Sequence, residues 1–307
     1  MTRPGSHAIG LCTFRRPGLT ETLATLESQR APEGPLTILV ADNDEVPSAR
    51  EVVETFARGS GHEVVHVHAP ARNISVARNA VLTAARRRGL RWLAFIDDDE
   101  QAPHGWYGAL YGALRASGAD ATVGPVRAIY SDDAPPWLKR ARSHDTEPEV
   151  DRHGHPVAGH SCNVLIDLGS PAFDGLRFNP ERGQTGGEDT AFFHAAMRRG
   201  AVLSLAPQAV VTEIVPPARA RIGWLLRRRY RMGQTHGSLM AQDAGGGRGR
   251  RAAVATAKVL WCGGAALLFA PDAARRNTAL IRGALHAGVV AEAVRLRAVR
   301  PYGGQAS

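Results

Sequence analysis

Four short apolar runs divide the first hundred residues, and the segment between each pair has the spacing of a helix. HAIGLCTF (7–14), LTILVADND (36–44), EVVHVHAP (63–70) and RWLAFID (91–97) read as buried strands. Between them lie RPGLTETLATLESQ, with Leu19, Leu23 and Leu26 on one side, SAREVVETFARG, stopped at Gly59, and NISVARNAVLTAARRRG (73–89). Strands alternating with helices point to an α/β fold with a parallel, Rossmann-like sheet covered on both faces. Ligands of such sheets gather at the carboxyl ends of the strands. Two of those ends are acidic here: ADND after the second run, and Asp97, Asp98, Asp99 and Glu100 after the fourth.

The second half reads differently. ATVGPVRAIY (121–130) and HSCNVLID (160–167) are expected strands, separated by a charged, proline-containing stretch with the character of a surface connection or lid. GGEDTAFFHAAMRRG (186–200) is an expected helix whose acidic start and basic end suit the helix dipole. AVLSLAPQAVVTEIV returns to strand. Beyond about residue 217 the pattern is helical and basic, with QDAGGGRGRR (242–251) as a hinge. A catalytic body over 1–240 and a basic helical tail over 241–307 follow.

Charge sharpens that division. The chain of 307 residues carries a net +9, but residues 1–215 sum to −4 and residues 216–307 to +13. A tail of this kind seeks an anion: nucleic acid, a phosphorylated substrate or acidic lipid. Nucleic-acid binding calls for aromatic residues among the basic ones, and the tail has few, so no nucleic-acid partner is expected. AAVATAKVLWCGGAALLFA (252–270) has one charge, Lys258, and is short for a span of about 20 residues. Arginines 248, 250, 251, 275 and 276 flank it, and TALIRGALHAGVVAEAVRLRAVR is amphipathic and basic. The expectation is interfacial attachment to an anionic membrane surface, on the cytoplasmic leaflet. The N-terminus lacks the apolar core of a secretory signal. Cys12, Cys162 and Cys262 form no CxxC pair, which fits a reduced, cytoplasmic compartment.

Side chains alternate along an extended chain, so Asp97 and Asp99 share one side and Asp98 takes the other. Two such carboxylates repel unless a cation lies between them, and Mg²⁺ or Mn²⁺ is the natural one. A solvated turn capping the next helix is the plain alternative. Glu188 and Asp189 follow two glycines at a helix start, where ordinary capping is again the plain alternative. Trp106 and Tyr107 could stack on a sugar but are expected in the core. His160 and Cys162 are expected in a core or site wall, since no partner spacing supports a metal ligand set.

GLCTFRRPGLTETLATLESQ, ILVADND, RNISVARNA, FIDDDE, VGPVRA, FNPERGQTGGEDTAFF and RRRYRMGQTHG occur in this order over about residues 7–240. Together they resemble the family 2 glycosyltransferases of the GT-A fold, and within them the succinoglycan-biosynthesis glucosyltransferases. The resemblance implies a mixed, mostly parallel sheet with flanking helices. It implies Asp189 as catalytic base, with Glu188 beside it. It places Thr13, Arg15, Arg16, Asp42, Asn73 and Arg78 around the nucleotide. It makes Asp97, Asp98 and Asp99 the DXD segment, with Asp97 toward ribose and Asp99 on the metal. Glu213 stands where many members have a histidine and is a further candidate metal ligand. Arg228, Arg229 and Arg231 are candidate phosphate contacts; the plain alternative is a basic helix face. The implied cofactor is Mn²⁺ or Mg²⁺, the donor a UDP-hexose such as UDP-glucose, and the acceptor a lipid-linked saccharide. No QxxRW motif of processive synthases is present, so single transfers are expected. Two other classes fit less well. A sugar-nucleotide pyrophosphorylase would need a GxGTRL-like loop, which CTFRRPG does not match. A nucleic-acid binder leaves both acidic motifs without a purpose.

Overall fold

A computed structural model describes residues 6–243 and 247–296 of the chain. The first hundred residues fold as their pattern dictates. Strands β1 (His7–Thr13), β2 (Leu36–Asp42), β3 (Glu63–His68) and β4 (Trp92–Ile96) alternate with helices α1 (Leu19–Glu27), α2 (Arg50–Gly59) and α3 (Ile74–Arg87). A two-residue strand β5 (Glu100–Gln101) and helix α4 (Trp106–Ser117) come next. The expected strand 121–130 is two strands, β6 (Ala121–Val123) and β7 (Val126–Ile129), because Gly124–Pro125 interrupts the ladder. Helix α5 (Pro136–Ala141) lies in the stretch expected to be irregular, with Pro136 at its first position. Strand β8 (Asn163–Asp167), helix α6 (Glu188–Arg198), and strands β9 (Leu203–Leu205) and β10 (Val211–Ile214) follow. Three long helices, α7 (Ile222–Asp243), α8 (Arg248–Leu268) and α9 (Ala273–Ala293), complete the described chain.

Seven strands form one sheet in the order β3-β2-β1-β4-β8-β6-β9. All neighbours run parallel except at β8, which is antiparallel to β4 and to β6. Each face carries a core. One joins Ile9, Leu11 and Ile38 to Leu23 and Leu26 of α1 and to Trp106 and Leu110 of α4. The other joins Ala8, Leu39 and Phe95 to Val81 of α3 and to Phe192 and Phe193 of α6. Gly10 lies on this second face, where a side chain would run into Val81 and Leu93. A small sheet, β5-β10-β7, sets Glu213 opposite Glu100.

The chain divides into two compact units. The first holds residues 1–127, 145–184 and 188–213; the second holds 128–144, 185–187 and everything from 214. Helix α7 groups with α9 in this second unit. Gly288 packs so closely on the backbone of Tyr230, and Gly233 on that of Leu285, that neither position has room for a side chain. The hinge expected over 242–251 falls partly on residues 244–246, outside the described residues; α8 already begins at Arg248. A small core of Leu138, Val215, Leu225 and Ile281 holds this second unit.

Candidate active site at the carboxyl edge of the sheet

Strand β4 ends at Ile96, and the chain turns sharply through Asp97, Asp98 and Asp99. Glu100 closes the turn: its carboxylate accepts the backbone N–H of Asp97 at 2.8 Å. Glu100 is buried, and burial, then repulsion from Asp97, raises its pKa well above the usual carboxylate range. Burial thus favours the protonated form of Glu100 and eases the repulsion within the run.

Two arginines hold the rest. Arg16, just past β1, donates from Nε to Asp98 at 3.0 Å and lies 3.1 Å from Asp99 through Nη2. Thr22 of α1 donates to the Asp98 carbonyl at 3.0 Å. Burial pushes the Asp98 carboxyl up to about 6, with Arg16 opposing. Arg78, in the second turn of α3, is the deeper of the two. Its side chain is 7 % exposed, and its guanidinium donates to the Glu188 carboxylate and reaches Asp97 at 3.4 Å. The two acidic motifs, ninety residues apart in sequence, thus meet on one buried cation. Desolvation raises the Asp97 and Glu188 carboxyls, while Arg78 holds both down.

Asp189 is half-buried at the start of α6, and its Oδ1 accepts the Thr190 N–H at 2.7 Å. The two glycines before it have φ of +82° and +80°, a backbone open to glycine at no steric cost. His160 sits where the Asp189 charge opposes the lowering of its pKa by burial. Its Nδ1 lies 3.1 Å from the Cys162 thiol, and its Nε2 is buried without a hydrogen-bond partner among the described residues. Both side chains are partly buried and lie within electrostatic reach of Asp189. Trp106 and Tyr107 are core residues, bonded to Asn163 at 2.9 Å and His7 at 2.8 Å.

Other expected residues organise loops. Asp42 has no exposed surface; its two oxygens accept the N–H groups of Asp44 and Ala49, so in this conformation it shapes the loop after β2. Arg15 forks onto Asp44 at 2.7 and 3.0 Å. Thr13 is buried at the end of β1, level with Asp42. Asn73 is the N-cap of α3, accepting from Ser75 and Val76 and donating to the Pro180 carbonyl at 2.8 Å. In the second unit, Arg231 donates to the Thr185 carbonyl at 3.2 Å, and Arg228 lies 5.3 Å from the Trp224 ring centroid. The sequence reading passed over Phe14. It is 43 % exposed at the same sheet edge, with the guanidiniums of Arg15 and Arg72 at 5.4 and 6.0 Å from its ring. An open aromatic beside cations, directly after a strand, is the signal that would have marked it.

The profile of the family described as glycosyl transferase family 2 matches residues 9–179, more than half of the chain. The chain belongs to that family. This glycosyltransferase is 42 % identical to the succinoglycan biosynthesis protein ExoM of Rhizobium meliloti (strain 1021), over 97 % of its own length and 96 % of that protein. Its fold is that of the GT-A enzymes. It resembles the mannosyltransferase PcManGT of Pyrobaculum calidifontis, solved with GDP-Man and Mn²⁺, at a TM-score of 0.58 and 18 % identity, covering 92 % of this chain and 86 % of that one. It also resembles S. aureus TarS, at a TM-score of 0.52 and 14 % identity, covering 92 % of this chain and 52 % of that one, about half of the TarS length.

The glycosyltransferase site has room in its charge balance for a divalent ion. Six carboxyl groups, at 97, 98, 99, 100, 188 and 189, gather here, with Arg16, Arg78 and Arg182 among the guanidiniums that act on them. Among the described residues no three His, Cys, Asp or Glu side chains are grouped to hold a metal by themselves. A divalent ion bound by one or two carboxylates would draw its remaining ligands from substrate phosphates, the habit of Mg²⁺ and its relatives. Asp97 and Asp99 are the residues that would hold it.

Proposed function

We propose that the enzyme transfers a hexose, glucose in the first instance, from a UDP-sugar to a lipid-linked saccharide in exopolysaccharide synthesis, with inversion at the anomeric carbon. The observation that carries this is the Arg78 clamp, which fixes Asp97 of the acidic turn and Glu188 at the head of α6 together. The biosynthetic setting rests on the similarity to ExoM. Phe14 offers its face to the base, and Arg15 and Arg16 lie along the same edge for the ribose and phosphates. Mn²⁺ or Mg²⁺ on Asp97 and Asp99, with Glu213 as a further candidate, would neutralise the diphosphate as it leaves. Arg228 and Arg231 remain proposed phosphate contacts.

An acceptor hydroxyl is a poor nucleophile at neutral pH. Asp189, half-buried and adjacent to the clamp, takes its proton as the oxygen attacks the anomeric carbon. The bond from that carbon to the phosphate oxygen breaks, its electron pair stays on the diphosphate, and attack from the opposite face inverts the centre. The buried Glu188–Arg78 pair sets the backbone that presents Asp189.

Calorimetry tests the platform. UDP and UDP-glucose are titrated with Mn²⁺ and with EDTA into wild type and Asp99→Ala. Metal-dependent binding that is lost in the variant supports the reading. Binding of GDP-mannose in place of UDP-glucose would overturn the donor, and binding of no nucleotide by folded protein would overturn the platform itself.

A further inference from the structure

Helix α8 shows more bare apolar surface than a helix in water should. Leu260, Trp261, Leu267 and Leu268 are 71, 79, 80 and 75 % exposed. Only Ala255, Cys262 and Ala266 are buried along it, a narrow stripe, with Cys262 against Gly283 of α9. A groove of about 1020 Å³ runs between the two helices, with Leu260, Trp261, Leu268 and Phe269 on its walls and Arg275 and Arg282 on its rim. Single exposed leucines are ordinary, but a contiguous row with an aromatic residue marks a binding surface.

We propose that this face of α8 and α9 docks on an anionic phospholipid bilayer, with α8 lying in the plane of the interface. Charge selects the occupant. Residues 248–293 carry seven Lys or Arg and two Asp or Glu, with Arg275 and Arg282 lining the same groove as the apolar row. A second copy would bring the same positive rim against this one. A bilayer with acidic headgroups offers hydrocarbon to the row and phosphates to the rim. Trp261 is the residue type that settles at that boundary.

Length and composition would let α8 cross a membrane. Its packing argues for lying flat. A crossing α8 would draw α9 in beside it, and the charge of Arg282 at mid-helix with it, which hydrocarbon strongly disfavours. Lying flat, the helix inserts its outer row and leaves α9 outside.

Flotation of the full chain decides the matter, with vesicles of phosphatidylglycerol and phosphatidylcholine against phosphatidylcholine alone. Wild type is expected to float with the anionic vesicles, less so in high salt, and to stay behind with the neutral ones. The variant Trp261→Glu/Leu268→Glu, changed only at exposed positions, is expected to lose at least about tenfold in bound fraction with an unchanged circular dichroism spectrum. Its UDP binding should equal that of wild type, which separates this proposal from the transferase reading. Wild type that does not float, or a variant that floats equally well, overturns the proposal. So does bound protein that resists an alkaline carbonate wash, which would mean a span. A lipid-free dimer that the variant abolishes would assign the face to a second copy.

Discussion

In the sheet unit the acidic side chains at 97–99 and 188 are held by two arginines reached from other elements. In the helical unit arginines lie at the surface beside uncovered leucine and tryptophan. The first arrangement uses protein to fix charges that repel, so the carboxylates stay in place with no ligand present. The second leaves both charge and apolar area to be satisfied from outside. One unit is preorganised, and the other is incomplete without its surroundings.

The largest expected effect tests whether chemistry belongs to the sheet unit. Asp189→Asn should lower kcat by about a hundred- to ten-thousand-fold while nucleotide affinity and thermal midpoint stay unchanged. Loss of affinity along with rate would make Asp189 a donor contact instead of the base. Next comes the clamp. Arg78→Ala leaves Glu188 buried and unpaired, and should cost about 3–5 kcal/mol in urea unfolding. Arg78→Lys keeps the charge without the fork and should fall between the variant and wild type. In the helical unit, Gly288→Ala puts a methyl group against the Tyr230 backbone and should cost about 1–3 kcal/mol, with UDP binding retained.

Acid separates the units in sign. Asp98 has a folded pKa raised to about 6 by burial, with Arg16 opposing, so its contribution to stability is present at low pH and is lost as pH rises through 6. His144 is pushed down to about 4, by burial first and then by Arg228, Arg219 and Arg229. It is neutral in the fold, so its contribution is present near neutrality and is lost as pH falls from 6.5 toward 4. Urea midpoints between pH 4 and 7 should show this as opposite changes in slope: Asp98→Asn makes the profile rise more steeply with pH, and His144→Gln flattens it. Slopes that move the same way would remove the contrast.

The order of β1 to β4 and α1 to α3 was legible because each element keeps a single period throughout. Helix α4 was not recognised, although Trp106, Leu110 and Leu114 recur every four residues along one buried face; Gly108 and Gly112 dilute the pattern. The break between β6 and β7 was written in Gly124–Pro125 and passed over. Both acidic motifs could be found by eye, since strand ends and helix starts are local. What neutralises them could not. Arg16 and Asp98 are 82 residues apart, and Arg78 and Glu188 are 110 apart, so only the folded sheet brings them together. Asn73, placed beside the nucleotide by the resemblance, is the N-cap of α3 in the structure. The exposure of α8 was also out of reach. An apolar row looks the same in sequence whether a neighbour covers it or not.

Gly10 has no chemistry of its own, yet it governs the clamp from beneath. Because position 10 bears only hydrogen, Val81 rests on β1 and α3 lies low over the sheet. Arg78 is one turn earlier on that same helix, so the height of the helix sets the reach of its guanidinium. An alanine at position 10 would act as a shim under α3, lifting the arginine away from carboxylates on strand and helix alike. The alignment of the site is thus gauged by a hydrogen atom buried in the middle of a strand.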